Sequence, residues 1–141
     1  MLKVTCAIII SRNEILVTQR SESSDHPLQW EFPGGKVKDD ESLTDCLKRE
    51  IWEELNIEIE IQQKLIPVKY DYGFKQIELF PFLCSVNSGE IRLTEHSDFR
   101  WIDFEELKHY DFSAADKKLI EITKNQNILK KYLRENMHDS G

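Results

Sequence analysis

The residues best suited to chemistry lie on one short stretch: Arg49, Glu50, Glu53 and Glu54, with Glu41 shortly before them. Ser42 to Leu55 has helical period, because Leu43, Leu47, Ile51 and Leu55 recur every four residues. On that helix Leu43, Cys46, Leu47, Ile51 and Leu55 define one apolar arc. Glu50 and Glu54 fall inside the arc, and Glu53 sits at its edge. Like charges at these spacings repel by about 0.2–0.5 kcal/mol per pair even when exposed. Burial raises that cost unless a cation compensates or protons are taken up. Hard oxygen donors of this kind suit Mg²⁺, or Mn²⁺, together with phosphate oxygens. An acidic, solvated helix is the plainer alternative, but it leaves the carboxylates inside the apolar arc unexplained.

The same stretch accounts for the net charge. The 141-residue chain has 19 Lys and Arg against 26 Asp and Glu, a formal charge of −7. Residues 39–60 hold nine acids and two bases, which is the whole excess. An acidic balance argues against a nucleic-acid polymer as partner, since that binding needs a basic face. It does not argue against a single nucleotide brought in with metal.

Gly35, Glu41, Arg49, Glu50, Ile51, Glu53, Glu54 and Ile57 stand in the frame G-x5-E-x7-R-E-U-x-E-E-x-G-U, where U is bulky and apolar. This resembles the Nudix box, here residues 35–57, with Asn56 in place of the family's last glycine. Asn tolerates a left-handed helix end better than other side chains, so the departure is mild. The resemblance implies an α+β fold, the Nudix-type α/β/α sandwich with a mixed sheet packed between helices. It also implies hydrolysis of a nucleoside diphosphate linked to another group. By the same resemblance the Gly34 carbonyl and the carboxylates of Glu50, Glu53 and Glu54 would hold Mg²⁺. Glu50 or a neighbour would activate or orient water. Arg49 would orient Glu50 and pair with Glu41, and Gly35 would serve the architecture of the motif.

Trp30-Glu31-Phe32-Pro33-Gly34-Gly35-Lys36 looks like the MutT-type branch, which converts nucleoside triphosphates to monophosphate and pyrophosphate. The resemblance makes Arg20 a nucleotide contact, Glu95 a further metal ligand, and Asp116 the residue that meets the base edge. Tyr72, Phe74 and Lys75 occupy a loop where MutT-like proteins line the base site, so Tyr72 and Lys75 are further substrate-binding candidates. Asp116 stands where MutT has Asn, and an ionised Asp only accepts hydrogen bonds. That suits an exocyclic amine or guanine N1–H and gives no donor to O6; the cytidine-triphosphate branch often carries an acid here. Asp116 could instead complete a capping box with Ser113. The implied role is housecleaning of modified or surplus nucleotides. Hydrolysis of a nucleotide sugar or dinucleoside polyphosphate, or non-catalytic nucleotide sensing, are the alternatives.

These residues need elements to position them. Residues 2–10 and 15–19 read as a hairpin around Arg12-Asn13-Glu14, and Ser21 to Gln29 as a loop. Pro33-Gly34-Gly35 reads as a turn. The acidic helix has Ser42 and Asp45 as its starting signal and Asn56 as its stop. Ile57, Ile59 and Ile61 alternate as a half-buried strand. Ile77 to Val86 follows, with Pro81 marking an edge or bulge, then a turn at Asn87-Ser88-Gly89 and a short strand from Phe99 to Ile102. A C-terminal helix spans about 113–136. No linker divides the chain, so residues 1–141 read as one domain. No run approaches a membrane span and no leader pattern opens the chain. Cys6, Cys46 and Cys84 are odd in number and scattered, which reads as reduced thiols in a cytoplasmic protein. His26, His96, His109 and His138 lack partner spacing and read as surface residues. A monomer or homodimer with a small nucleotide as its only partner completes the reading.

Overall fold

The structure, a computed structural model, describes residues 1–24 and 27–136; His26 and His138 lie outside them. The chain opens with β1 (Leu2–Ser11) and β2 (Glu14–Gln19), an antiparallel pair. Arg12 and Asn13 both take positive φ, 50° and 67°, the geometry of a tight hairpin matched to strand twist. The elements β3 (Trp30–Glu31) and β4 (Gly34–Lys36) lead to helix α1 (Leu43–Leu55). Then come β5 (Ile57–Lys64), β6 (Val68–Asp71), β7 (Gln76–Gly89) and β8 (Asp98–Ile102). A 3-10 helix at Phe104–His109 precedes α2 (Ala114–Glu121) and α3 (Thr123–Glu135).

The sheet is mixed. Its order is β3-β2-β1-β7-β5, with β4 on β1, β6 on β7 and β8 on β2. Only β1 and β7 run parallel among the named pairs, in a register from Leu2↔Ile77 to Ile9↔Cys84. Strand β1 is central, so its run from Thr5 to Ile10 is buried on both faces. Cys6, Ile8 and Ile10 point into a core shared with Leu119 of α2 and Leu129 of α3. Ala7 and Ile9 point the other way, against Leu47, Ile51 and Leu55 of α1. Period-two alternation on one strand thus fixes two apolar layers, and the helices must take opposite sides. The result is the expected α/β/α sandwich.

The caps of α1 are as expected. The Ser42 hydroxyl accepts the Asp45 N–H at 3.1 Å, and Asn56 closes the helix at φ 62° with its N–H on the Trp52 carbonyl at 3.0 Å. Four details differ from the sequence reading. Pro33-Gly34-Gly35 is not a turn: Gly34 and Gly35 lie in β4, paired to Cys6 and Thr5. Pro81 is in a central strand, where the partner on one side of β7 changes from β6 to β5, so its missing N–H interrupts no ladder there. Asn87, Ser88 and Gly89 end β7 rather than turning the chain. The C-terminal helix of 113–136 is two helices broken at Ile122. The break is capped by side chains: Asn125 Nδ2 donates to the Leu119 carbonyl at 3.0 Å, and Gln126 Nε2 to that of Ile120 at 3.0 Å. Cys6, Cys46 and Cys84 are all free and buried. Among the described residues no helix is long and apolar enough to cross a membrane.

Candidate active site

The acidic face of α1 meets β4 through the absence of a side chain. A Cβ on Gly35 would sit on the Glu50 carboxylate, with Oε1 2.7 Å away, so the glycine gives that carboxylate its place. No positive φ is needed at Gly35; the requirement is space. At Gly34 a Cβ would run into backbone instead, 2.7 Å from the Cys6 Cα.

Arg49 organises the acids around it. Its Nε donates to Glu41 Oε2 at 2.6 Å and its Nη2 to Oε1 at 2.9 Å, a two-pronged pair. Nη1 reaches Glu50 at 2.9 Å and Glu53 at 3.2 Å. The Arg49 guanidinium, helped by the Lys38 N–H, holds the Glu41 carboxyl down at about 2. Glu54 has no such partner, and its Oε2 is buried without a hydrogen bond. Burial, then the charges of Glu50 and Glu31, push its carboxyl up to about 9. Two acids of one site are thus driven apart by what faces them.

A cavity of about 320 Å³ opens beside this helix. It brings together Arg20, Gly34, Gly35, Glu54, Tyr72, Lys75, Glu95 and Asp116 from distant parts of the chain. Arg49, Glu50, Glu41 and Glu53 do not line it, and Glu53 is the most exposed of the four at 54% of its side chain. Among the described residues no three acidic, His or Cys side chains converge as a ready-made metal cage. Unscreened carboxylates repel, and Glu50 and Glu53 lean instead on Arg49.

The part of the lining that comes from Ser113 and Asp116 is positioned by backbone pairing. The Trp30 N–H donates to Asp111 at 2.9 Å and the Ser113 N–H returns to the Trp30 carbonyl at 3.0 Å. Phe32 and Phe112 stack at 5.0 Å. The start of α2 is thereby drawn to β3 and β4, and Asp116 Oδ2 accepts the Phe32 N–H at 2.9 Å across 84 residues. Ser113 makes no capping bond, so the capping box that was the alternative use of Asp116 is not formed. Burial, then the charge of Glu31, raise the Asp116 carboxyl to about 8, so at neutral pH it is mostly protonated. Tyr72 packs against Tyr70 at 4.7 Å, and its hydroxyl accepts the Ala115 N–H at 3.0 Å. Phe74 is 68% exposed, and Lys75 Nζ lies 5.5 Å from its ring centroid.

Two residues of this wall escape sequence reasoning. Glu31 joins Arg20 Nη1 at 2.7 Å. Burial opposes its charge, but His96 and Arg20 together hold the carboxyl below its ordinary range. His96 is not a surface residue as expected: its side chain is only 8% exposed, and Nε2 lies 3.9 Å from Glu31 Oε2. The loop that carries His96 is polar, and a lone histidine there gives no periodic signal. His109 is exposed, as expected.

Comparison with known proteins gives the family. The NUDIX domain profile matches residues 1–121. This chain belongs to the Nudix family. It is an enzyme of that family, similar to Nudix proteins named as diphosphatases and pyrophosphohydrolases. An 8-oxo-dGTP diphosphatase of Buchnera aphidicola is 36% identical over 117 residues, covering 83% of this chain and 88% of that protein. A CTP pyrophosphohydrolase of Escherichia coli is 35% identical over 121 residues, covering 86% and 90%. The solution structure of the Escherichia coli ORF135 protein has a TM-score of 0.78 at 33% identity, covering 94% of this chain and 92% of that one. The Nudix box of the present chain spans the end of β4, α1 and the first residue of β5.

Proposed function

We propose that this Nudix enzyme hydrolyses a nucleoside triphosphate to the monophosphate and pyrophosphate with a divalent cation, Mg²⁺ or Mn²⁺. The observation that carries the reading is the mixed lining of the cavity. It combines the carboxylates of Glu54 and Glu95 with Arg20, Lys75, the rings of Tyr72 and Phe32, and Asp116. That combination suits a ligand that joins a charged polyphosphate to a planar base.

The donor set fits a cation. A buried Glu54 oxygen lacks a partner, and the Glu50 carboxylate is held close by against Gly35. Glu50, Glu53, Glu54, Glu95 and the Gly34 carbonyl would hold it. When bound, such a cation neutralises phosphate charge and brings the pKa of a coordinated water toward neutrality. Arg49 orients Glu50 and Glu53, with Glu41 anchoring the guanidinium. Glu50 would orient the attacking water and accept its proton. One water is consumed, one P–O–P bridge breaks, and pyrophosphate leaves.

Asp116 bears on the base. A protonated carboxyl both donates and accepts, as the Asn of MutT does. With Oδ2 on the Phe32 N–H, burial removes the acceptor-only restriction that an ionised Asp would impose. Donation to guanine O6 is therefore open beside acceptance from an amine. Relatives named for 8-oxo-dGTP and for CTP are consistent with both options.

The test is a metal-dependent screen over canonical and oxidised triphosphates, nucleotide sugars and dinucleoside polyphosphates. Pyrophosphate is the expected product, and Glu50→Gln should lower turnover by about a hundredfold or more with an unchanged melting temperature. Orthophosphate as the sole product, or full activity of Glu50→Gln, would refute the reading.

A further inference from the structure

We propose that His96 is a positioning residue: it holds the Glu31 carboxylate so that Glu31 aims the Arg20 guanidinium at the substrate. This rests on the proposed function, in which Arg20 meets the nucleotide.

Three observations carry the inference. The first is the chain of contacts. Glu31 Oε1 takes Arg20 Nη1 at 2.7 Å and Oε2 faces His96 Nε2 at 3.9 Å, so one carboxylate stands between the two bases. Arg20 is steadied on its other side by Ser24, its Nε lying 3.4 Å from the hydroxyl. An arginine held by only one exposed partner would lose its aim to side-chain entropy; a carboxylate gripped from behind restores it.

The second observation is the burial of His96. Only two buried side-chain polar atoms among the described residues lack a partner: Glu54 Oε2 and His96 Nδ1. Both residues line the same cavity. Leaving such an atom unpaired costs about 1–3 kcal/mol, which core packing alone gives no reason to accept. The tautomer follows from the neighbour. Glu31 accepts only, so the proton that suits this pairing is on Nε2.

The third observation is how the backbone around His96 is tied. The Arg92 and Thr94 N–H groups donate to Leu55 and Glu54 at the end of α1, at 2.9 and 3.3 Å. The Ser97 N–H donates to Gln19 at 2.9 Å, and its hydroxyl reaches the Arg20 carbonyl at 3.4 Å. The segment carrying His96 therefore staples the acidic helix to the strand end that bears Arg20. With the backbone fixed on both sides, the histidine side chain is held facing Glu31.

The experiment compares His96→Ala, His96→Gln, Arg20→Ala and the His96→Ala/Arg20→Ala double variant, with 8-oxo-dGTP and CTP as probes. His96→Ala should raise KM about tenfold with kcat nearly unchanged, the signature of lost uniform binding. His96→Gln places an amide N–H near the Nε2 position and should restore most of that loss. The double variant should be about as impaired as Arg20→Ala alone, because the histidine acts through the arginine. Should His96→Ala fail to fold, His96→Asn replaces it, keeping an amide that falls short of Glu31. Additive losses in the double variant, or a His96→Gln no better than His96→Ala, would overturn the proposal. An Arg20→Ala with unchanged KM for both probes would instead overturn the reading of Arg20 on which it rests.

Discussion

Replacing Asp116 by asparagine isolates a strongly perturbed carboxyl in the wall of the cavity. In the folded protein this carboxyl keeps its proton up to about pH 8, whereas the ordinary value is 3.8. Between those values the folded state binds one more proton than the unfolded chain. Stability must then fall as pH rises, by about 1.4 kcal/mol per unit, and level off above the folded value. From about pH 5 to about pH 8 the loss from this one group reaches about 4 kcal/mol as a ceiling. The amide of Asp116→Asn binds no proton, and its oxygen can still accept the Phe32 N–H that Asp116 takes at 2.9 Å. The variant's stability relative to the wild type should therefore rise by up to about 4 kcal/mol from about pH 5 to about pH 8, the two converging only below the ordinary value of 3.8. Glu54, also raised, to about 9, adds its own slope to both proteins and cancels in the difference. Urea unfolding of the two proteins across this range, with chelator and constant salt, measures the quantity directly. A wild-type-to-variant difference that stays within about 0.5 kcal/mol at every pH would refute the buried, protonated Asp116. On the same reasoning the variant should retain its ranking of 8-oxo-dGTP and CTP at neutral pH, since both side chains there offer a donor and an acceptor.

The two glycines of β4 should fail in different ways. Gly35→Ala pushes on the Glu50 carboxylate, the movable end of a side chain, so turnover should drop about a hundredfold while the melting temperature holds. Gly34→Ala pushes on the backbone of Thr5 and Cys6, so its melting temperature should fall first; equal behaviour of the two would refute the distinction. Asn125 is fully buried, accepts the Ile66 N–H at 2.7 Å and donates to the Ile66 and Leu119 carbonyls. Asn125→Leu should cost about 3 kcal/mol or more by stranding those groups, read from denaturant midpoints, with KM unchanged in what remains folded.

How much of this site is legible from residue order depends on sequence separation. The acidic helix is local: its period, its Ser42 and Asn56 caps and the Arg49 pairings all lie within a few turns, so spacing alone places the carboxylates. The glycines show the limit of local reading. Pro33-Gly34-Gly35 has the composition of a turn, yet the glycines serve close approach to β1 and to Glu50. The helix break at Ile122 is hidden too, because the side chains that cap it are polar residues of the next helix, Asn125 and Gln126.

Residue order alone dictates the two-faced central strand, the acid-bearing helix and hence the layered α+β architecture. Each follows from period and burial, which are properties of neighbouring residues. It took the folded arrangement to put Asp116 under Phe32, to stand Glu31 between Arg20 and His96, and to leave Glu54 without the partner that Glu41 has. Those relations join residues far apart in the chain, and protonation depends on what stands a few ångströms away in space. Asp116 read from its type alone is an anion that accepts. Buried against Phe32 it is driven toward the neutral form, which can donate as well as accept, and that difference comes from desolvation, which no spacing along the chain encodes.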